Sequence, residues 1–264
     1  MLRFYLEVAR TAFRRQLIYR WANLAGILTN AFFGAIFSYV LIALFHARAS
    51  TAGYNLLDSL RYTWLMQAMT MVTLTFGWYD LMLTIRTGEV ISDLSKPCDF
   101  FWYWFSRELG RAGYYLLFRG LPTYALGMLL FGIGLPGNWQ FWAVYAVSFL
   151  LGALLGITYR FAYNIAAFWI VEARAVGGMA TVVALFFTGS YVPMAFFPAW
   201  ARAILGWLPF GDIMNIPASI LLGKLRADAF LPTLLHQGSW VLVFVLLARL
   251  LTVRATRRVV VQGG

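Results

Sequence analysis

The 264-residue chain holds a single cysteine, Cys98, which rules out an internal disulfide. Its two histidines, His46 and His236, are far apart and give no metal-ligand spacing; both read as interfacial or helix-packing residues rather than bases. Charged residues make up 12% of the chain, where a soluble domain carries about a quarter. No GxxxxGK followed by Ser or Thr occurs, so the chain has no loop of that kind to cradle nucleotide phosphates. A GxSxG elbow, an HExxH helix and a workably spaced Ser, His and Asp set are also missing. Together these absences argue against redox, metal and hydrolytic chemistry in this chain.

What is present is apolar. The hydrophobic share is 62% and the mean hydropathy +0.73, which marks an integral membrane protein with little chain left for a soluble domain. The net charge of +11 does not point to nucleic acid, because the basic residues flank apolar runs and have no soluble module to sit on.

Residues 1–20 put Leu2, Leu6, Ala9, Phe13 and Leu17 on one helical face and Arg3, Glu7, Arg10 and Arg14 on the adjacent one, the pattern of a helix lying in the membrane plane. Arg14 and Arg15 mimic a twin-arginine signal, and Ala47, Arg48 and Ala49 a cleavage site. The uncharged run between them, Trp21 to Phe45, has 25 residues, too long for a signal core and right for a span. The expected architecture is an all-α integral membrane protein forming one domain with six spans, at 21–45, 61–84, 112–134, 140–163, 176–193 and 232–253. Leu135, Pro136, Gly137 and Asn138 mark the turn between the third and fourth. The stretch 194–224 is apolar but cut by Pro198, Pro209 and Pro217 into pieces too short to cross, and reads as re-entrant.

Six spans place both ends on one side of the bilayer. Segments 1–20, 86–119, 174 and 249–258 hold fifteen of the 21 Lys and Arg, which puts those segments and both termini in the cytoplasm. Arg48, Arg61, Arg202, Lys224 and Arg226 fall outside, and Arg160 is left over. The intramembrane charge candidates are Asp80, Arg160 and Glu172, with Arg174 beside them; Asp80 and Arg160 are read as a possible pair, and all of them as groups that snorkel or pair at the inner interface. Gly26, Ala31, Gly34 and Ala35, and Gly152 with Gly156, fit close helix packing, within one chain or between two. No inverted repeat of the secondary-transporter kind is visible.

Between the second and third spans lies a charged island, IRTGEVISDLSKPCD, from Ile85 to Asp99. Thr87 is read as the cap of a helix of about eight residues, Glu89 falls in its first turn and Pro97 ends the pattern. It is either a docking handle or a solvated loop. The amphipathic first helix, this island, AAFWIVEARAVGG (Ala166 to Gly178), and GSYVPMAFFPAW followed by LPFGDIMNIPASILLG resemble, in order and spacing, the permease subunits of type-2 ATP-binding-cassette (ABC) exporters, the small stand-alone kind. The resemblance implies a coupling helix at Thr87, Gly88, Glu89, Val90, Ile91, Ser92, Asp93 and Leu94. It also implies an outer gate region around Pro193, Phe197, Pro198, Pro209, Phe210 and Pro217. It further implies two ABC ATPase subunits that bind ATP and Mg, a second permease subunit, identical or related, and a bacterial cytoplasmic membrane as the setting. The rival is an autonomous ion-gradient-driven secondary transporter or channel with Asp80, Arg160 and Glu172 as its relay.

Overall fold

The structure, a computed structural model, describes residues 1–47, 49–74, 78–136, 139–170 and 172–257. Arg48, Gly137, Asn138 and Arg258, which carried parts of the topology and turn readings, lie outside the described residues. Among the described residues the chain forms helices and no β-strand.

The first two helices are α1 (Leu2–Gln16) and α2 (Arg20–His46), separated by a short 3-10 turn. α1 buries no side chain fully; it lies on a later helix through Ala9 and Phe13 while Leu2 and Leu6 stay exposed, as expected of an apolar face that meets lipid. α2 has 27 residues, about 40 Å at 1.5 Å rise, longer than the roughly 30 Å hydrocarbon core.

The next element, α3 (Leu56–Thr73), opens on a capping box. The Asn55 side chain accepts from the Asp58 N–H at 2.8 Å, and the Asp58 carboxylate accepts from the Asn55 N–H at 3.2 Å, satisfying two otherwise orphaned donors. The stretch read as a single second span, 61–84, is two helices: α3 ends at Thr73 and α4 (Asp80–Thr87) begins after a break. The five-residue α5 (Val90–Leu94) follows.

The helical stretch that covers the expected third span, 112–134, begins earlier, at Phe100. α6 (Phe100–Tyr115) runs through a π turn at Leu116–Gly120 into α7 (Leu121–Phe131). Then come α8 (Trp139–Ile165), α9 (Ala173–Phe187), three short helices, α10 (Ala199–Leu205), α11 (Phe210–Ile213) and α12 (Asn215–Leu221), and the final α13 (Phe230–Thr256).

α8 is the axis of the molecule, contacting α3, α6, α9, α11, α12 and α13. Its glycines allow this. A Cβ at Gly152 would overlap the Ile213 carbonyl of α11, and one at Gly156 the Thr73 carbonyl of α3. Gly34 in α2 and Gly127 in α7 make room for the buried Trp64 ring, whose indole N–H donates to Ser38 at 3.1 Å. The small residues at these positions therefore serve packing within the chain.

Candidate coupling site

The break between α3 and α4 strands backbone groups at two helix ends, and α8 satisfies them. The Arg160 guanidinium donates through Nη1 to the Thr73 carbonyl. Asn164, one turn further along α8, accepts from the Met82 N–H at 3.2 Å and donates to the Trp78 carbonyl at 3.3 Å. Two side chains of one helix thus clamp both sides of a joint in another.

The same arginine belongs to a line of ion pairs. Arg160 Nη2 lies 3.3 Å from Glu108 Oε2, with the two side chains 1% and 3% exposed. The other Glu108 oxygen is 3.6 Å from Arg111 Nε, and Arg111 Nη2 reaches Asp80 at 2.5 Å. The expected Asp80–Arg160 pair is therefore corrected: α6 stands between them, giving Glu108 to Arg160 and Arg111 to Asp80. Glu108 and Arg111 stand i, i+3 on the aromatic-rich α6, which places both charges on one face. Glu172 stands apart. Its side chain is 76% exposed, its nearest partner is Arg86 at 4.0 Å, and it takes no part in the line, so the residues proposed as a relay are not joined. Arg174 is exposed on the first turn of α9.

At the island, Thr87 does not cap a helix that starts there. It closes α4, its hydroxyl donating back to the Leu83 carbonyl at 3.1 Å, and Gly88 follows in the left-handed region with φ +78°, a conformation glycine adopts without the Cβ penalty. The helix of about eight residues is thus a five-residue turn with Glu89 before it. Val90 is buried and Leu94 packs beside it against Leu81, Phe100 and Trp104. Asp93 is buried and takes a 2.5 Å ion pair from Lys96, whose ammonium also donates to the Tyr103 hydroxyl at 2.9 Å. Burial disfavours the Lys96 charge, but these two bonds outweigh it and hold its pKa above the ordinary lysine value. Thr87, Gly88, Glu89, Ile91 and Ser92 remain as the exposed crest of the island.

The proline-broken stretch folds back on α8. Pro198 and Pro209 sit immediately before α10 and α11, and Pro217 is the third residue of α12, positions where a missing N–H costs little. Pro193 precedes a 3-10 turn that ends before Phe197, and Pro193 and Pro217 are buried while Phe197, packed on the Phe186 ring, and Phe210, against Tyr159 and Phe187, are half-buried. Asp212, which the sequence reading passed over, is buried in α11 and meets His236 Nδ1 at 2.9 Å. Trp240 donates to His236 Nε2 at 3.3 Å. Gln237 bridges Ser148 of α8 and the Asp212 carbonyl. His236 is thus a packing histidine with a carboxylate partner, joining α13 to α11.

An apolar cavity of about 800 Å³ opens among α3, α6, α7 and α8, lined in part by Met69, Tyr124, Trp142, Tyr145 and Phe149. Tyr124 and Trp142 direct their polar tips away to the carbonyls of Gly134 and Pro136.

Three helical stretches, Leu2–His46, Trp139–Phe168 and Ala227–Thr256, are long and apolar enough to cross a membrane, and the first and last bury little of their surface within the chain. An all-helical chain with such unpartnered apolar helices and internally paired charges is a membrane protein. A family model described as "ABC-2 family transporter protein" matches residues 31–263, and the chain belongs to that family. It is therefore a membrane component of an ABC transporter. No curated protein matches the chain.

Proposed function

We propose that this chain is the permease subunit of an ABC exporter that moves a hydrophobic or amphipathic substrate out across the cytoplasmic membrane. In this reading six segments cross the bilayer, with α3 and α4 as two halves of the second and both termini in the cytoplasm. Two ATPase subunits bind ATP and Mg, and a second permease, identical or related, completes the pathway. The α4–α5 island seats in the ATPase, and the outer segment from α10 to α12 forms the gate.

The observation that carries this reading is the clamp of Arg160 and Asn164 on the α3–α4 joint. Displacement of an island held this way acts on α8, and through α8 on α11, α12 and α13. Val90 and Leu94 are already engaged inside the chain, so the docking contacts fall to the exposed Glu89, Ile91 and Ser92. ATP binding moves the island only if docking is stronger in one nucleotide state than in the other.

The test is coexpression of the chain with its ATPase subunit, followed by copurification and ATP turnover. Ile91→Asp should abolish transport-coupled turnover and weaken copurification at equal membrane abundance. Wild-type assembly and turnover in that variant would leave the island a solvated loop and remove the mechanical link.

A further inference from the structure

Arg119 sits within the π turn that interrupts α6 and α7, a distortion common at functional positions in helices. Its guanidinium lies on α2 over Gly26, so closely that a Cβ there would overlap it. Nη2 donates to the Asn30 side chain at 3.3 Å, and that amide donates in turn to the Gln67 carbonyl at 3.1 Å. One turn before Gly26, Asn23 donates to the Phe118 carbonyl at 2.6 Å.

Two polar atoms at this seam have no partner among the described residues: Arg119 Nε, a donor, and Asn23 Oδ1, an acceptor. Both are buried, where an unpartnered polar atom is costly. Arg119 also joins none of the ion pairs among the described residues. Arg111 of α6 and Arg160 of α8 each have a carboxylate; Arg119 has an amide oxygen and the Tyr115 ring, 6.0 Å away.

The surroundings identify the medium. Trp21, Leu24, Leu117 and Leu121 beside the seam are exposed apolar side chains, and the Phe118 ring meets Phe13 near the end of α1 at 6.2 Å. The seam therefore opens at the membrane surface that carries α1, where lipid headgroups lie.

We propose that the half-buried Arg119 at this seam binds the headgroup of an anionic phospholipid from that leaflet, a phosphodiester oxygen accepting from its guanidinium. Charge chooses the ligand. With no carboxylate beside the guanidinium, nothing balances the ammonium of a zwitterionic lipid.

The test is native mass spectrometry of the delipidated full-length chain, titrated with phosphatidylglycerol and with phosphatidylcholine. Wild type should prefer phosphatidylglycerol by roughly fivefold, the ratio equivalent to the contribution of one basic residue near an anionic surface. Arg119→Gln should bring the ratio to parity, Arg119→Lys should keep part of it, and Arg107→Gln, which removes an equal charge from the side chain stacked on Trp104, should leave it unchanged. Equal binding of both lipids by wild type, or an unaltered preference in Arg119→Gln, overturns the proposal. Displacement of phosphatidylglycerol by excess inorganic phosphate would make the seam a site for free anions and overturn the lipid assignment.

Discussion

Glu108 and Arg160 face each other on α6 and α8 with both side chains out of solvent, and the energetics of such a pair are asymmetric. Replacing both charges by apolar groups is often nearly neutral, whereas removing one strands the other. Glu108→Gln should therefore destabilise the chain by about 3–5 kcal/mol, and Glu108→Gln combined with Arg160→Met should recover much of that loss. Thermal unfolding in detergent, comparing Glu108→Gln, Arg160→Met and the double variant with wild type, reads the difference; a double variant at least as unstable as the sum of the singles would show that the pair is not coupled. The Arg160→Met change also removes the donor to Thr73, so recovery should be incomplete. At Gly156 an added methyl meets a backbone carbonyl rather than a movable side chain. Gly156→Ala should cost about 1–3 kcal/mol, the range for overpacking, and the same unfolding measurement checks it.

At the scale of the elements, the helices that could be located from composition alone are α2, α8 and α13, because each centres on more than twenty residues almost free of charge. The prolines likewise announced that α10 to α12 would be short. The joint between α3 and α4 was invisible. Hydropathy runs on through Tyr62 to Tyr79, and the groups that stabilise the break, Arg160 and Asn164, lie more than eighty residues away along the chain. Nor does a five-residue helix carry enough periodicity to say which side faces inward, so Val90, Asp93 and Leu94 looked like docking residues when they are anchors. That correction reassigns the expected mutational effects. Val90→Asp and Leu94→Asp should lower folded yield, because each puts a charge into the cluster with Phe100 and Trp104; Ile91→Asp should leave yield intact and act only on the ATPase. Size-exclusion profiles of the three variants expressed without ATPase separate the two classes. A collapse of Ile91→Asp in that assay would show that this residue, too, is structural.

At the scale of the whole molecule, the central question is which face of the bilayer each end of α8 meets, since α8 joins the island at one end to the α10–α12 segment near the other. The distribution of positive charge leads us to expect the island in the cytoplasm, and on the proposed reading, in which the prolines keep α10–α12 from crossing, the segment should lie at the outer face. Ala199 and Arg226 flank it, both exposed, and each accepts a cysteine without disturbing a buried contact; Arg226 forms only a surface pair with Asp228, 86% and 67% exposed, worth about 0–1 kcal/mol. The native Cys98 is half-buried beside the island and is first replaced by Ser. In that background Ala199→Cys and Arg226→Cys should both react with a membrane-impermeant maleimide added to intact cells, while Ser92→Cys on the exposed crest should react only after permeabilisation. Reaction of Ser92→Cys in intact cells would invert the chain and put the island out of reach of any cytoplasmic ATPase. Reaction of Ala199→Cys and Arg226→Cys on opposite sides would mean that the proline-broken segment crosses after all, and that the number of spans is odd.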